Sequence, residues 1–372
     1  MLDTHWAECF DLKDPLIHTR KKAWDRFEQI GLPRSKQEAF QYVRKEFCYP
    51  KPASQKRVSQ KSEEGLVFVD GFFDEASSTI PGPLIVLPIE KAMKSYGLFL
   101  QSRMQKVIQE EMDPFAALNG AFQGSGAFLY VPPKCKAALQ IVHVLTQDGM
   151  ASPRLHIYLG RGARLELEQI SQGKSEFSNA FLDCVLDQDA TMKWVDRSEG
   201  DFVAVRALLK KSSKLTTVSL GKLFRTSLKV ELAEEEAEAE LYGLAEVGGN
   251  TQTHFHALVE HIAPRTKSRQ HFKSVLKESS RFSFEGKIYV HSEAQKTEAY
   301  QLNNNMVLSD DAAAHAKPNL EIFADDVKAS HGATVGGLNE EQLFYLRTRG
   351  LSQAMATDWL IRGFCQEILD HA

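Results

Sequence analysis

The period of apolar and polar positions changes twice along this chain, and the two changes divide it into three segments. The first is helical in character. In "RKKAWDRFEQIGLP" the residues Ala23, Trp24, Phe27 and Ile30 share one face, and Gly31 and Pro33 end the run. "DPFAALNGAF", starting at Asp113, reads as a further short helix. Between them, "LVFVDGFFD" and "PLIVLPI" read as a short pair of strands, and "KPASQKRVSQKSEEG" is polar enough for a surface loop. The pattern predicts a mainly helical domain over residues 1–124.

From residue 125 to 336 apolar and polar positions alternate, as in "LHIYLGRGARLELEQI", "FLDCVLDQDATMKWV", "LKVELAEEEAEAELYGLAEV" and "SFEGKIYVHSEAQKTEAYQL". Period two predicts strands with one face in a core. A corner recurs between them, an apolar residue, three polar or small ones, then a small apolar one. It is seen at Leu159 to Ala163, Leu186 to Ala190, Ala233 to Ala237, Leu308 to Ala312 and Phe323 to Val327. Many strands with few two-residue hairpin signals favour a solenoid of parallel strands, a β-helix, over a sandwich. The run Asn303–Asn305 suits the inner corner of such coils, where stacked asparagines satisfy one another; a polar surface loop is the alternative.

After Gly336 the period is helical again. Asn339 can cap "EEQLFYLRTR", with Glu340 and Glu341 in the first turn, Arg347 and Arg349 in the last, and Gly350 as the stop. A second helix, capped by Ser352, carries Ala356, Leu360, Phe364 and Ile368 as an apolar stripe for core packing or for a partner. Residues 337–372 are thus a C-terminal helical domain.

Composition mainly excludes. With 372 residues the chain can bury a sizeable core, and 25% charged residues with a net charge of −4 offer no grip for nucleic acid. "MLDTHWAECFDLKDPL" has acids and no apolar run, so it builds neither a signal peptide nor a membrane helix, and a cytoplasmic location is expected. Cys9, Cys48, Cys135, Cys184 and Cys365 are scattered with no CxxC spacing. That argues against a disulfide framework or a self-contained metal knuckle, so any iron–sulfur cluster would need ligands from another chain. No GxxxxGK[ST] loop, GxGxxG turn or nucleophile elbow is present, and ATP hydrolysis by this chain is not expected.

Histidines carry the candidate chemistry. His254 and His256 would point the same way on a strand, as a metal pair needs, but no HExxH or third ligand accompanies them. In "DDVKASHGATVG", His331 is flanked by Ala329, Ser330, Gly332 and Ala333, which leave the imidazole uncovered for a second chain or an ion. A structural turn histidine is the alternative. Asp325 and Asp326 read as corner acids, or as groups that orient a histidine or hold iron.

The runs "HIAPRTKSRQHFKSVL" and "FEGKIYVHSEAQKTEAYQLNNNMVLSDDAAAHAKPNLEIFADDVKASHGATVGGLNEEQLFYLRTRGL" resemble the shared carboxy-terminal core of the SufB/SufD family of iron–sulfur cluster assembly proteins. "GLPRSKQEAFQYV" and "DPFAALNGAF" resemble, more loosely, the amino-terminal part of the SufD branch. The resemblance implies a right-handed parallel β-helix between helical domains. It further implies a non-catalytic scaffold that pairs edge to edge with a SufB paralogue and binds a SufC-type ABC ATPase, the site of ATP hydrolysis, through its C-terminal helices. Leu346 and Phe364 are the residues expected at that ATPase contact. The resemblance also places His331 at the SufB interface as a ligand for iron or a nascent cluster, transient and shared with SufB. No cofactor is expected to stay on the isolated chain, flavin binding by the complex is left open, and the isolated chain could pair with itself. Where many relatives read "CSHGAT", this chain has Ala329, so thiolates must come from the partner. Two other readings stay open, a purely architectural subunit and a metal-dependent β-helix enzyme using His254 and His256.

Overall fold

The computed structural model describes residues 14–33, 37–43, 51–53 and 65–372. Most of the polar run expected as a surface loop, together with Cys9 and Cys48, lies outside the described residues. At 48% strand and 22% helix the molecule is mainly β, a parallel solenoid of about seven turns with helices at both termini.

The entry to the solenoid holds α1 (Ile17–Ile30), β1 (Gly65–Val69), β2 (Phe72–Phe73), β3 (Ile85–Pro88), α2 (Ile89–Glu110) and α3 (Pro114–Phe122). Next come β4 (Ala127–Val131), β5 (Lys136–Leu145) and the two-residue β6 (Met150–Ala151). Regular coils follow: β7 (Arg154–Leu159) with β8 (Arg164–Gly173), β9 (Phe177–Leu186) with β10 (Thr191–Asp196), and β11 (Glu199–Leu209) with β12 (Lys214–Ser219). Then come β13 (Lys222–Leu232) with β14 (Glu238–Val247), and β15 (Gln252–His261) with β16 (Lys267–Leu276). The last two coils are β17 (Arg281–Val290) with β18 (Thr297–Val307), and β19 (Ala313–Ile322) with β20 (Val327–Gly336). α4 (Glu340–Thr348) and α5 (Gln353–Leu369) end the chain.

Two ten-stranded sheets result. The front sheet runs β2-β1-β5-β8-β10-β12-β14-β16-β18-β20, and the back sheet runs β19-β17-β15-β13-β11-β9-β7-β4-β3 with β6 beside β9. The pair of strands expected from "LVFVDGFFD" and "PLIVLPI" does not form. Asp70 and Gly71, both at positive φ (49° and 91°), fold β2 back on β1 as a two-residue hairpin, and β1 joins β5 in parallel. β3 instead pairs antiparallel with β4 in the other sheet. Solenoid pairing therefore begins at Gly65, before the period-two region starts.

Alternation places one residue set in the lumen. Leu167, Trp194, Leu215, Leu241, Phe272, Phe282 and Phe284 are all buried there. Gly243 makes room for Phe272, because a Cβ would lie 2.5 Å from its ring. The corners that lead from back to front sheet repeat one geometry: Lys134, Gly162, Asp189, Ser212, Glu236, Arg265 and Lys296 all have positive φ. Their backbone N–H groups bond to the next coil, as from Gly162 to Gln188 O (2.8 Å) and from Asp189 to Lys211 O (3.0 Å). The following small residue, Ala163, Ala190, Ser213, Ala237, Thr266 or Thr297, is fully buried. Three of the five corners expected from sequence belong to this column; Phe323–Val327 also leads from back to front sheet but has no residue at positive φ, and residues 308–312 turn from front to back sheet, which explains the irregular spacing.

The asparagine run lies within β18, not at a corner. Asn303 and Asn305 face inward and are buried; Asn303 Nδ2 donates to Phe272 O (3.0 Å) and Asn305 Nδ2 to Asn303 Oδ1 (2.7 Å). They satisfy each other along the strand and against the coil beneath, since no asparagine occupies the registered position on either neighbour.

The terminal helices cover opposite outer faces. α3 lies on the back sheet: Asp113 Oδ1 caps the helix at Phe115 N (3.0 Å) while its Oδ2 accepts from Arg225 Nε (3.1 Å). Phe115 stacks on Phe202 at 3.6 Å, and Asn119 Nδ2 donates to Asn179 O (2.6 Å). Buried ion pairs tie the C-terminal end of α2 and the turn after it to the same face. Arg103 meets Asp183 at 2.8 Å and Arg206 binds both oxygens of Glu111 (2.7 and 2.8 Å). Burial alone would raise the Asp183 carboxyl, but Arg103, with His156 beside it, holds it well below the usual carboxylate range. α5 lies on the front sheet, where Ile361, Cys365 and Ile368 pack on Val195, Val218, Tyr242 and Val275. Asn339 and Ser352 cap α4 and α5 as the pattern predicts, accepting from Gln342 N (3.0 Å) and Met355 N (3.3 Å).

Candidate functional site

The solenoid finishes without a lid among the described residues. β19 and β20 are the last strands of their sheets, each ten residues long, and each is paired on one side only. Along β20 most residues are exposed, and along β19 all are half-buried. β20 presents a row of unpaired N–H and C=O groups to a second chain, and β19 presents one interrupted at Pro318, which has no N–H. α5 does not cover it, because its packing is on the outer face of the front sheet.

His331 sits in the middle of β20 and is exposed. The pairing of β18 with β20 sets it opposite Gln301, whose side chain is buried in the lumen. Strand alternation therefore gives His331 the inward face, shared with Ala329, Ala333 and Val335, while Ser330 and Gly332 face out. It ends a registered column that runs Leu139, Leu167, Trp194, Thr217, Leu241, Gln270, Gln301, His331. The column turns to amides in its last coils. Gln301 Nε2 donates to Gln270 Oε1 (2.8 Å), Gln270 Nε2 to Lys287 O (3.3 Å), and Ser274 Oγ to Asn305 Oδ1 (2.7 Å). Amides that bond to one another tolerate the solvent at an open lumen better than an exposed apolar stack would. Alternation alone puts Gln301 on the inward face with Ala299 and Asn303, so its place was within reach of the sequence pattern.

The acids do not join the histidine. Asp325 and Asp326 stand at the corner before β20, and five extended residues carry His331 about 16 Å from Asp326. Lys296 N donates to Asp326 O, so this acid's backbone belongs to the corner ladder. Ala329 shares the lumen face with His331 and packs into a small apolar cluster with Ile288, Val290, Ala299 and Ala324. A cysteine there would have held sulfur beside His331; the methyl group holds only packing.

His254 and His256 lie on β15 in the back sheet, facing out beneath the N-terminal segment, away from His331. His254 Nδ1 is 2.6 Å from Ser283 Oγ, and its ring packs on Phe224. Burial, with Arg225 nearby, pushes the pKa of each down to about 3, so both are neutral imidazoles. Among the described residues no group of three or more His, Cys, Asp or Glu side chains could hold a metal.

On the C-terminal helices, Leu346 is half-buried. Phe364 is also half-buried and leans on the front sheet, with Lys273 Nζ 4.6 Å from its ring centre and 2.9 Å from its carbonyl oxygen. The sequence pattern did not single out Phe344, Tyr345, Met355 and Trp359, which are more than half exposed. A cleft of about 500 Å³ separates the end of β20 from α5, with Thr334, Val335, Trp359 and Phe364 on its walls. No described helix is long and apolar enough to cross a membrane.

Comparison with known proteins bears on this geometry. The family model described as "SUF system FeS cluster assembly, SufBD core domain" matches residues 143–364, from β5 to α5. An iron–sulfur cluster assembly SufBD family protein of Synechocystis is 28% identical over 396 residues, covering 95% of this chain and 87% of that protein. The chloroplastic protein ABCI7 of Arabidopsis thaliana is 30% identical over 284 residues, 69% of this chain and 59% of that protein. The iron–sulfur cluster assembly protein SufD of Escherichia coli is 37% identical over 150 residues, 40% of this chain and 36% of that protein. The chain belongs to the SufBD family of iron–sulfur cluster assembly proteins.

Proposed function

We propose that this SufBD-family chain is a SufD-type, non-catalytic scaffold subunit that builds a cluster site jointly with a SufB-type paralogue. The observation that carries the reading is His331: an exposed imidazole on the lumen face of the last strand, beside a ten-residue edge with no neighbour. A paralogue of the same fold can continue both sheets across that edge by main-chain hydrogen bonds. The imidazole then lies at the junction, a borderline ligand able to bind iron beside sulfur ligands. Thiolates must come from the partner, since position 329 is alanine. A site split between two chains exists only in the complex, which suits iron or a nascent cluster that is later released. The cluster is cargo, and the isolated chain keeps no cofactor; without its partner the open edge pairs weakly with a second copy.

A SufC-type ABC ATPase docks on α4 and α5, with Leu346 and Phe364 at or beneath the contact and Trp359 and Tyr345 on its surface. Because Lys273 joins the front sheet to α5 through Phe364 O and Glu367, motion imposed on the helices moves the solenoid as one body. Such a shift can open the shared edge. Charged substitution of Leu346 or Phe364 weakens ATPase capture, with far-UV circular dichroism checking that the helices persist.

The test is anaerobic cluster assembly on the co-purified complex with SufB-type and SufC-type partners, wild type against His331→Ala. Complex recovered at normal yield with iron and cluster absorbance lost supports the ligand role. Unchanged assembly would show the chain to be architecture, a reading that the apolar packing of Ala329 favours. Failure to recover any complex would remove the partner assignment itself.

A further inference from the structure

We propose that Gln301 is a positioning residue for His331: its amide carbonyl accepts the inward N–H of the imidazole and leaves the other ring nitrogen free at the open edge. The functional consequence rests on the reading of His331 as a ligand, whereas the positioning itself does not.

Three observations fix the amide. Gln301 Nε2 donates to Gln270 Oε1 at 2.8 Å, and Gln270 is itself anchored to Lys287 O. Across the lumen the backbone of Gly286 faces that same nitrogen, and a Cβ there would lie 2.3 Å from it. The amide is thus held between the preceding coil and a gap that only glycine provides. Its oxygen is then the free end. Gln301 Oε1 is buried and has no hydrogen-bond partner, an unfavourable state for a carbonyl oxygen.

The two polar atoms of an amide diverge from one carbon. With Nε2 committed to the coil beneath, Oε1 is the atom left to serve the coil above, where the registered residue is His331. His331 also shares the lumen face and can donate a proton to that oxygen, while Gln270, the other donor in register beside Gln301, has its Nε2 committed to Lys287 O. One N–H···O contact fixes both the ring orientation and the tautomer, because the nitrogen that donates cannot be the nitrogen that binds. A carbonyl behind a ligating imidazole also raises its basicity and holds it in place. Gln270, Gln301 and His331 form a relay of fixed amides that ends in one imidazole.

The experiment uses the full-length chain labelled with ¹⁵N-histidine, read by long-range ¹H–¹⁵N correlation at about pH 8, where imidazoles are neutral. The His331 signals are assigned by their loss in His331→Gln. Wild type is expected to show one tautomer, Gln301→Glu to keep it, and Gln301→Met, which retains length but lacks the acceptor, to give a mixture. A mixture in wild type, or one unchanged tautomer in Gln301→Met, overturns the proposal. If Gln301→Met does not fold, Gln270→Met frees the same amide and is expected to give the mixture; a single tautomer there also overturns it. In the complex, Gln301→Met should lower iron retention by about 10-fold. If Gln301→Met changes the tautomer while His331→Ala leaves cluster assembly intact, the positioning stands and the ligand reading falls. If His331→Ala abolishes assembly while the tautomer ignores Gln301, the reverse holds.

Discussion

The two ends of the solenoid are built from the same repeating coil and finish differently. At the entry end the front sheet closes with β2, two residues long and folded back through Asp70 and Gly71, and the back sheet closes with the four-residue β3, which ends in Pro88. Short, antiparallel, proline-limited strands are how sheets avoid pairing with another chain. α2 then leaves directly from β3 and packs Ile89, Ala92, Leu100 and Met104 against Phe128 of β4. At the far end β19 carries one of these devices, Pro318 in mid-strand, and β20 carries none. β19 and β20 keep full length, their inward residues are half-buried or exposed, and on the front-sheet wall of the lumen beneath them leucine has given way to glutamine and asparagine, facing Phe282 and Phe284 of the back sheet. Solenoid coils that stop without a cap are stable only if something pairs with them or if the last layers tolerate water. This chain does the second through its amides and remains able to do the first.

The comparison can be broken first at the covered face. Arg206→Ala leaves Glu111 buried without its partner and is expected to destabilise the fold by about 3–5 kcal/mol, read as a shift of the urea midpoint. Next come the two kinds of lumen. Leu241→Ala in the apolar part should cost about 2–5 kcal/mol, and Gln270→Ala in the polar part only about 1–3 kcal/mol. Equal costs would mean that the lumen does not change character toward the open end. The edges themselves are tested by charge: Val335→Lys on β20 should weaken capture of a SufB-type partner by on the order of 30-fold, while Ile85→Lys on β3 should leave it unchanged. A loss in both variants would place the contact elsewhere.

A smaller effect comes from pH. Burial holds His143 at about 4 and His254 and His261 at about 3, against 6.5 for a free side chain. The unfolded chain therefore binds more protons between these values. Their stabilising contribution is complete above about pH 6.5 and falls as pH drops toward 4 and then 3. The urea midpoint should be lower at about pH 5 than at about pH 7.5, and His261→Asn should flatten that slope. Smallest of all, His331→Ala at the open end should change stability by no more than about 1 kcal/mol, the net worth of one hydrogen bond to Gln301, because the side chain is otherwise exposed. A large loss there would mean that the open end is held by His331 and is not free for a partner.

Much of the fold was legible in the sequence. Period-two alternation identified the strands, Gly31, Asn339 and Ser352 marked helix ends, and the corner pattern marked three members of one column. Each is a local signal, set by side-chain periodicity, capping chemistry or the left-handed backbone of a turn. What local signals could not supply is register. Nothing near Asn303 told it from a corner asparagine, and nothing near Asp325 and Asp326 told that an extended strand would carry His331 away from them.

The sequence by itself determined that strands alternate an inner and an outer face, that helices flank them, and that His331 stands among small residues with alanine at position 329. Only the tertiary structure decided that this histidine ends a lumen column, that Gln301, thirty positions earlier, lies beneath it, and that α5 covers the front sheet and leaves the edge open. The reason is physical. In a parallel solenoid the neighbours that matter are one coil apart, and their pairing is set by hydrogen bonds between strands that share no local sequence signal.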